Sequence, residues 1–184
     1  MTRIVAGAAK GRRLQVPDRG TRPTSERARE AMFNTLRSQL DVEGAAVLDL
    51  FAGSGAVGLE ALSRGARRAV FVESDRRAAQ VLQQNLDTVA LDGGQLLRRP
   101  VASVLAGPGE AFDLVFADPP YAVGENELAA MLQGLVTGGW LADDAVVVLE
   151  RSSRGPEPQW PKGIALVTDR RYGEGRLWYG RRQS

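Results

Sequence analysis

Two consecutive prolines, Pro119 and Pro120, stand directly after the apolar run Phe112-Asp113-Leu114-Val115-Phe116-Ala117. Proline has no backbone N–H and a fixed φ, so neither a sheet ladder nor a helix interior continues through such a pair. A buried strand must therefore end here, and Pro119 also biases Asp118 away from the helical region. The tetrapeptide Asp118-Pro119-Pro120-Tyr121 becomes a stiff loop at the carboxyl end of a strand. It offers one carboxylate, backbone carbonyls without competing proline amides, and one aromatic face. That set suits a flat ring with an exocyclic amine: acceptors hold the N–H groups while the ring stacks on Tyr121. A plain proline-rich turn is the competing reading until the context is weighed.

The context lies upstream. The strand Ala45 to Leu50 runs into Gly53-Ser54-Gly55-Ala56-Val57-Gly58, and a helix follows with Val57, Ala61 and Leu62 apolar. Gly53 and Gly55 allow a tight turn and a close approach of backbone to ligand. A second strand, Ala69 to Val72, ends in Glu73, about 20 residues after the glycines, where an acid is placed for ribose hydroxyls. The glycine spacing also fits a dinucleotide site. Asp49, however, sits before the turn, where it would repel a pyrophosphate and attract a positively charged amine. This favours S-adenosylmethionine over a nicotinamide cofactor, which would leave the tetrapeptide without a use. Asp49, Glu73 and Asp118 each end a different strand, and ligands of open α/β sheets bind beyond those ends.

The whole chain alternates in the same way. Strands are expected at 45–50, 68–73, 94–98, 112–117 and 144–149, with helices at 56–64, 75–90, 101–105 and 125–136. Such alternation implies a parallel sheet covered on both faces. Ile164 to Tyr172 and Arg176 to Arg181, joined by Gly173-Glu174-Gly175, read as a closing antiparallel hairpin. Ahead of the sheet, residues 3–6 and 12–16 form a hairpin, and Thr24 or Ser25 caps a helix running to about residue 40.

Three groups of residues carry a family resemblance: Asp49-Leu50-Phe51-Ala52-Gly53-Ser54-Gly55, Glu73, and Asp118 to Tyr121. They resemble class I S-adenosylmethionine-dependent N-methyltransferases, which implies a Rossmann-like α/β fold. Arg3-Ile4-Val5-Ala6-Gly7, Lys10 to Leu14 and the block Arg22-Pro23-Thr24 to Asn34 narrow the resemblance to the RsmD family of bacterial 16S rRNA guanine-N2 methyltransferases. The implied acceptor is the N2 amine of guanine 966, in 16S rRNA or a small-subunit particle. Asp118, Pro119, Pro120 and Tyr121 would be catalytic. Asp49, Phe51, Gly53, Gly55, Glu73, Ser74, Val101 and Asp118 would hold the cofactor. Residues 1–40 would be an RNA-binding extension, with Arg12, Arg13, Arg22, Thr24, Arg27 and Arg29 on the RNA, and residues 41–184 the methyltransferase domain. The chain departs from the pattern after the third strand. Pro100 stands where many relatives carry an acid for the adenine amine, so Val101 is expected to pack on the ring and Ser103 or backbone to supply polarity.

Charge supports a polyanionic partner. Residues 1–40 carry +6, residues 151–184 carry +5 and the centre carries −9, which suggests a polyanion held by the flanks. The chain has no His and no Cys. That excludes an imidazole base, a Ser-His-Asp triad, disulfides and thiolate metal sites, and no metal is expected. No apolar run of membrane-spanning length occurs. A monomeric cytoplasmic enzyme is the expectation. Three alternatives stay open on the residues alone: an NAD-dependent oxidoreductase, a DNA or protein N-methyltransferase, and a non-catalytic RNA-binding protein on the same fold.

Overall fold

In a computed structural model, which describes residues 1–18 and 24–184, strands and helices follow the apolar runs that predict them. After β1 (Thr2–Arg3), β2 (Arg13–Leu14) and α1 (Glu26–Leu36) come β3 (Ala46–Leu50), α2 (Ala56–Ser63), β4 (Arg68–Val72), α3 (Arg76–Val89) and β5 (Gly94–Leu97). Then follow α4 (Val101–Leu105), β6 (Phe112–Ala117), α5 (Glu125–Thr137), β7 (Leu141–Ser152), β8 (Ile164–Tyr172) and β9 (Gly175–Arg182). The main sheet has the order β5-β4-β3-β6-β7-β9-β8. β3 to β7 are parallel, and β9 pairs antiparallel with both β7 and β8. The expected Rossmann-like sheet with a closing hairpin is therefore present.

Alternation along each strand decides which helix layer a side chain meets. Val47, Leu114, Phe116, Val146 and Val148 share one buried cluster with Met32, Phe33 and Leu36 of α1, Leu59 and Leu62 of α2, and Leu82 of α3. Leu48, Leu50, Val115, Val147 and Leu149 face the other way and pack with Val104, Leu105, Leu128, Leu132 and Leu135 of α4 and α5. Burying a Val, Leu or Phe in such a layer stabilises the fold by ~1.5–3 kcal/mol. Ile4 and Leu14 join the first cluster, so the opening segment packs into the same core as the sheet.

Three boundaries differ from expectation. The opening hairpin pairs only Thr2 with Leu14 and Arg3 with Arg13. Ile4 N still donates to Arg12 O, but beyond it the amides find partners outside the hairpin: Val5 N and Ala6 N donate to the Glu60 carboxylate, and Ala8 N donates to Ser63 O. α1 stops at Leu36, whose carbonyl accepts from Gln39 N and Leu40 N in a closing turn. β7 extends through Ser152 because β9 pairs with it as far as Gly175. No helix among the described residues is long and apolar enough to cross a membrane.

Candidate active site

The sheet order reverses at β3, which has β4 on one side and β6 on the other. That switch point opens a crevice beyond the strands' carboxyl ends, the usual ligand position in this architecture. A cavity of about 890 Å³ occupies it, lined by Asp49, Phe51, Gly53, Glu73, Ser74 and Asp118, with Thr24 and Pro120 at its sides. The sequence thus brings together three strand-end acids from β3, β4 and β6.

The turn after β3 is built for close approach. Phe51, Gly53 and Gly55 all have positive φ, at 56°, 57° and 82°. A Cβ on Gly53 would meet nothing within 4 Å, so its backbone faces open space. Gly58 has a different task. A Cβ there would lie 2.3 Å from Phe71 Cε2, so its absence lets α2 lie close against β4.

Asp49 is 1% exposed, and its Oδ2 accepts from Gly58 N at 3.0 Å. Burial pushes its carboxyl up to about 8; the Gly58 hydrogen bond opposes that and the nearby Glu73 adds to it. Glu73 Oε1 accepts from Gly53 N at 2.8 Å and Oε2 from Asp75 N at 2.8 Å. It therefore clamps the glycine turn to the start of α3. Each carboxylate oxygen can accept a second hydrogen bond, which leaves acceptor capacity for two hydroxyls.

Asp118 ends β6, and burial pushes its carboxyl up to about 9. Glu150 comes next as a cause, both by charge and by a side-chain hydrogen bond, while Arg151 acts in the opposite sense. Pro119 is buried, Pro120 is exposed and lines the cavity, and Tyr121, the next residue, is 88% exposed. Arg151 Nη2 fixes the loop beyond, donating to Val123 O at 3.0 Å and to Glu125 Oε1 at 3.2 Å. Glu150 was not singled out from sequence. Its signal was available: it ends the apolar run Val146 to Leu149, as Asp118 ends the run before it.

The acids fit a cationic cofactor. Asp49 and Asp118 have raised proton affinity, offset only in part among the described residues, and a cation in the cavity would favour their charged forms. A pyrophosphate would meet Asp49, Glu73 and Asp118 together and be repelled.

Several expected contacts lie elsewhere. Val101 does not line this cavity. Pro100 is the N-cap residue of α4, and Val101 is buried in the cluster of α4 and α5. Arg29 is not an RNA-facing cation. It is 0% exposed and its Nε donates to Glu60 Oε1 at 3.1 Å. Its Nη groups donate to Thr24 O, Thr2 Oγ1 and Arg3 O. Thr24 is also turned inward, its hydroxyl donating to Glu150 Oε2 at 3.2 Å. Both were expected on the RNA; full burial withdraws Arg29 from it, whereas Thr24 still lines the cavity. Arg22 lies outside the described residues. Arg12 donates to Thr88 O at 3.3 Å, in the last turn of α3, about one turn beyond Gln84, the last residue of that helix to line the cavity. Arg13 and Arg27 are exposed, the latter in the first turn of α1 near Thr24.

The carboxyl edge of the sheet carries further exposed arginines. Arg98 follows β5, Arg154 follows β7, and Arg171 is next to last in β8. Tyr172, Gly175 and Ser152 stand in register across β8, β9 and β7, and Ser153 N donates to Glu174 O. The hairpin tip therefore stands beside the end of β7, next to β6 and its tetrapeptide.

The sequence and the fold recur in known proteins. A family profile described as "Conserved hypothetical protein 95" matches residues 2–181. The Escherichia coli (strain K12) protein named ribosomal RNA small subunit methyltransferase D is 40% identical over 173 residues, covering 94% of this chain and 85% of that protein. YlbH of Bacillus subtilis (strain 168) is 34% identical over 176 residues, covering 93% and 94%. The solved structure of E. coli yhhF matches with a TM-score of 0.89 at 36% identity, covering 99% of this chain and 98% of that one. The likeness spans the strand-end acids and the N-terminal segment alike, and the chain belongs to the RsmD family.

Proposed function

We propose that this chain transfers a methyl group from S-adenosylmethionine to the N2 amine of a guanine in 16S ribosomal RNA. One observation carries the reading: Asp118 and Pro120 of the tetrapeptide line the same cavity as Asp49 and Glu73, and Tyr121 beside them is exposed. The family membership supports ribosomal RNA as the substrate class.

S-adenosylmethionine supplies a methyl group activated by a positively charged sulfur. The chain's own residues bind and orient. Asp49 meets the cofactor's ammonium and Glu73 its ribose hydroxyls. Phe51 and Ser74 border the same space. Asp118 and the carbonyl of Pro119 accept the two amine hydrogens, which turns the nitrogen lone pair toward the methyl group. Tyr121 stacks on the base, worth ~1–3 kcal/mol. Most of the acceleration comes from this orientation. A paired guanine must be extruded first, at a cost of a few kcal/mol. The RNA backbone is held by the exposed arginines of the carboxyl edge, Arg154 and Arg171, together with Arg27 near Thr24. Asp49 argues against a nicotinamide dinucleotide in the same cavity.

The test is methyl transfer from labelled S-adenosylmethionine to 16S rRNA, naked or in small subunits, from a strain lacking this protein. Mass spectrometry then maps the modified base. The wild type should yield N2-methylguanine, and Asp118→Ala should bind cofactor but lose most turnover. A modified base other than guanine, or full turnover by Asp118→Ala, overturns the reading.

A further inference from the structure

We propose that Glu150 is a positioning residue: in the protein alone it receives a hydrogen bond from a protonated Asp118, and a sulfonium cation in the cavity expels that proton. The inference rests on the cofactor reading above and adds a residue and a proton to it.

β6 and β7 run parallel with Ala117 opposite Leu149. The next residues on each strand, Asp118 and Glu150, therefore stand side by side. At that spacing Glu150 raises the proton affinity of Asp118, by its charge and by hydrogen bonding between the two carboxyl groups. Two carboxylates have no hydrogen to share, so a bond between them requires one partner to be protonated. Glu150 already serves as an acceptor, since Thr24 Oγ1 donates to its Oε2 at 3.2 Å. With Glu150 as the acceptor of both bonds, Asp118 is the donor, in keeping with the upward push on its carboxyl to about 9. The charged groups acting on Asp118 are Glu150 and Arg151 from β7 and Asp49 from β3. Arg151 offsets them only in part, because its guanidinium is already engaged by Val123 O and Glu125. Among the described residues on the α1 side, the facing group is the neutral Thr24 hydroxyl.

A protonated Asp118 is a poor partner for the acceptor amine, because its proton is committed to Glu150 and it bears no full charge. A positive charge in the cavity favours the ionised form, and the proton leaves to solvent. Asp118 is then an acceptor only, as the amine hydrogens require. During transfer the C–S bond breaks as the C–N bond forms, and the positive charge passes from sulfur to the amine. The sulfur side is neutral thereafter, so the proton affinity of Asp118 rises again. The amine's departing proton can return to it, restoring the hydrogen bond to Glu150. The device supplies a base when the product needs one, in a chain without histidine.

The experiment is isothermal titration calorimetry of S-adenosylmethionine and S-adenosylhomocysteine in buffers of different ionisation enthalpy near pH 7.5. The two ligands share the ammonium and the ribose, so proton release at Asp49 is common to both and cancels. The wild type should release about one more proton with S-adenosylmethionine than with its demethylated product. Between about pH 7 and 9 its preference for S-adenosylmethionine should rise about tenfold per unit. In Glu150→Gln the side-chain oxygen keeps the Thr24 contact and the amide donates to an ionised Asp118. The difference in proton release should then vanish. Asp118→Asn, approached from the other partner, should abolish it too, whereas Asp49→Asn should keep it. Equal release by the two ligands in the wild type, or an unchanged difference in either Glu150→Gln or Asp118→Asn, overturns the proposal. Failure of both ligands to bind overturns the cofactor reading and this one together.

Discussion

Replacing Arg29 by alanine should damage the fold and leave RNA affinity alone. The guanidinium is fully buried and donates to Glu60 Oε1, Thr24 O, Thr2 Oγ1 and Arg3 O. It thereby ties β1, the start of α1 and α2 into one knot. Removing one partner of a buried ion pair costs ~3–5 kcal/mol, because the other charge stays buried. Glu60 here keeps three donors, Val5 N, Ala6 N and Arg64 Nε, so the lower part of that range applies, about 3–4 kcal/mol. For a domain of this size each kcal/mol moves Tm by ~2–4 °C. Thermal unfolding followed by circular dichroism should therefore show a fall of about 6–16 °C. The double variant Arg29→Met with Glu60→Gln removes both charges and should recover part of the stability. Below its transition, Arg29→Ala should bind RNA with the salt dependence of the wild type. A Tm within about 2 °C of wild type, together with a shallower salt slope, would refute the buried-knot argument and restore Arg29 to the RNA surface.

Two further predictions concern the ligands. Glu73→Ala should weaken S-adenosylmethionine binding by ~1.5–3 kcal/mol, roughly 10- to 150-fold, by removing the charge-assisted ribose hydrogen bonds and the Gly53–Glu73–Asp75 clamp; an unchanged Kd by calorimetry sinks that role. Neutralising Arg154 and Arg171 together should make the log–log salt dependence of RNA binding shallower by ~0.7 for each phosphate no longer neutralised, so by up to about 1.4. Neutralising Arg12 and Arg13 should change it less, since Arg12 sits at the far end of α3. Filter binding across a salt series decides, and the reverse ranking would return the RNA to the N-terminal face.

Local sequence determined much of this protein. The two prolines end β6 wherever the chain goes next, because the missing N–H and the fixed φ act on immediate neighbours. The apolar runs ending in Asp49, Glu73 and Asp118 specify three strands and put their acids at the carboxyl ends. Alternation of strand and helix then implies the parallel sheet that makes those ends converge. Each of these inferences spans only a few residues or a simple repeat, so the covalent chain carries it directly.

What the tertiary structure decided involves partners distant in sequence. Arg29 belongs to a basic segment that reads as surface; only the packing of that segment onto α2 shows that it answers Glu60, 31 residues away. Val101 follows Pro100 at a point that reads as part of the adenine site, yet α4 turns it into the core. Arg12 and Arg27 share one cluster of charge along the chain but lie toward opposite ends of the helices that hold them in place. Glu150 has the same local signature as the other strand-end acids, and its role depends on β7 being the neighbour of β6. Charge and periodicity state what a residue prefers. Whether a buried cation or carboxyl finds its partner is settled by strand order and helix packing, because low-dielectric pairing acts through space between segments that the sequence keeps apart.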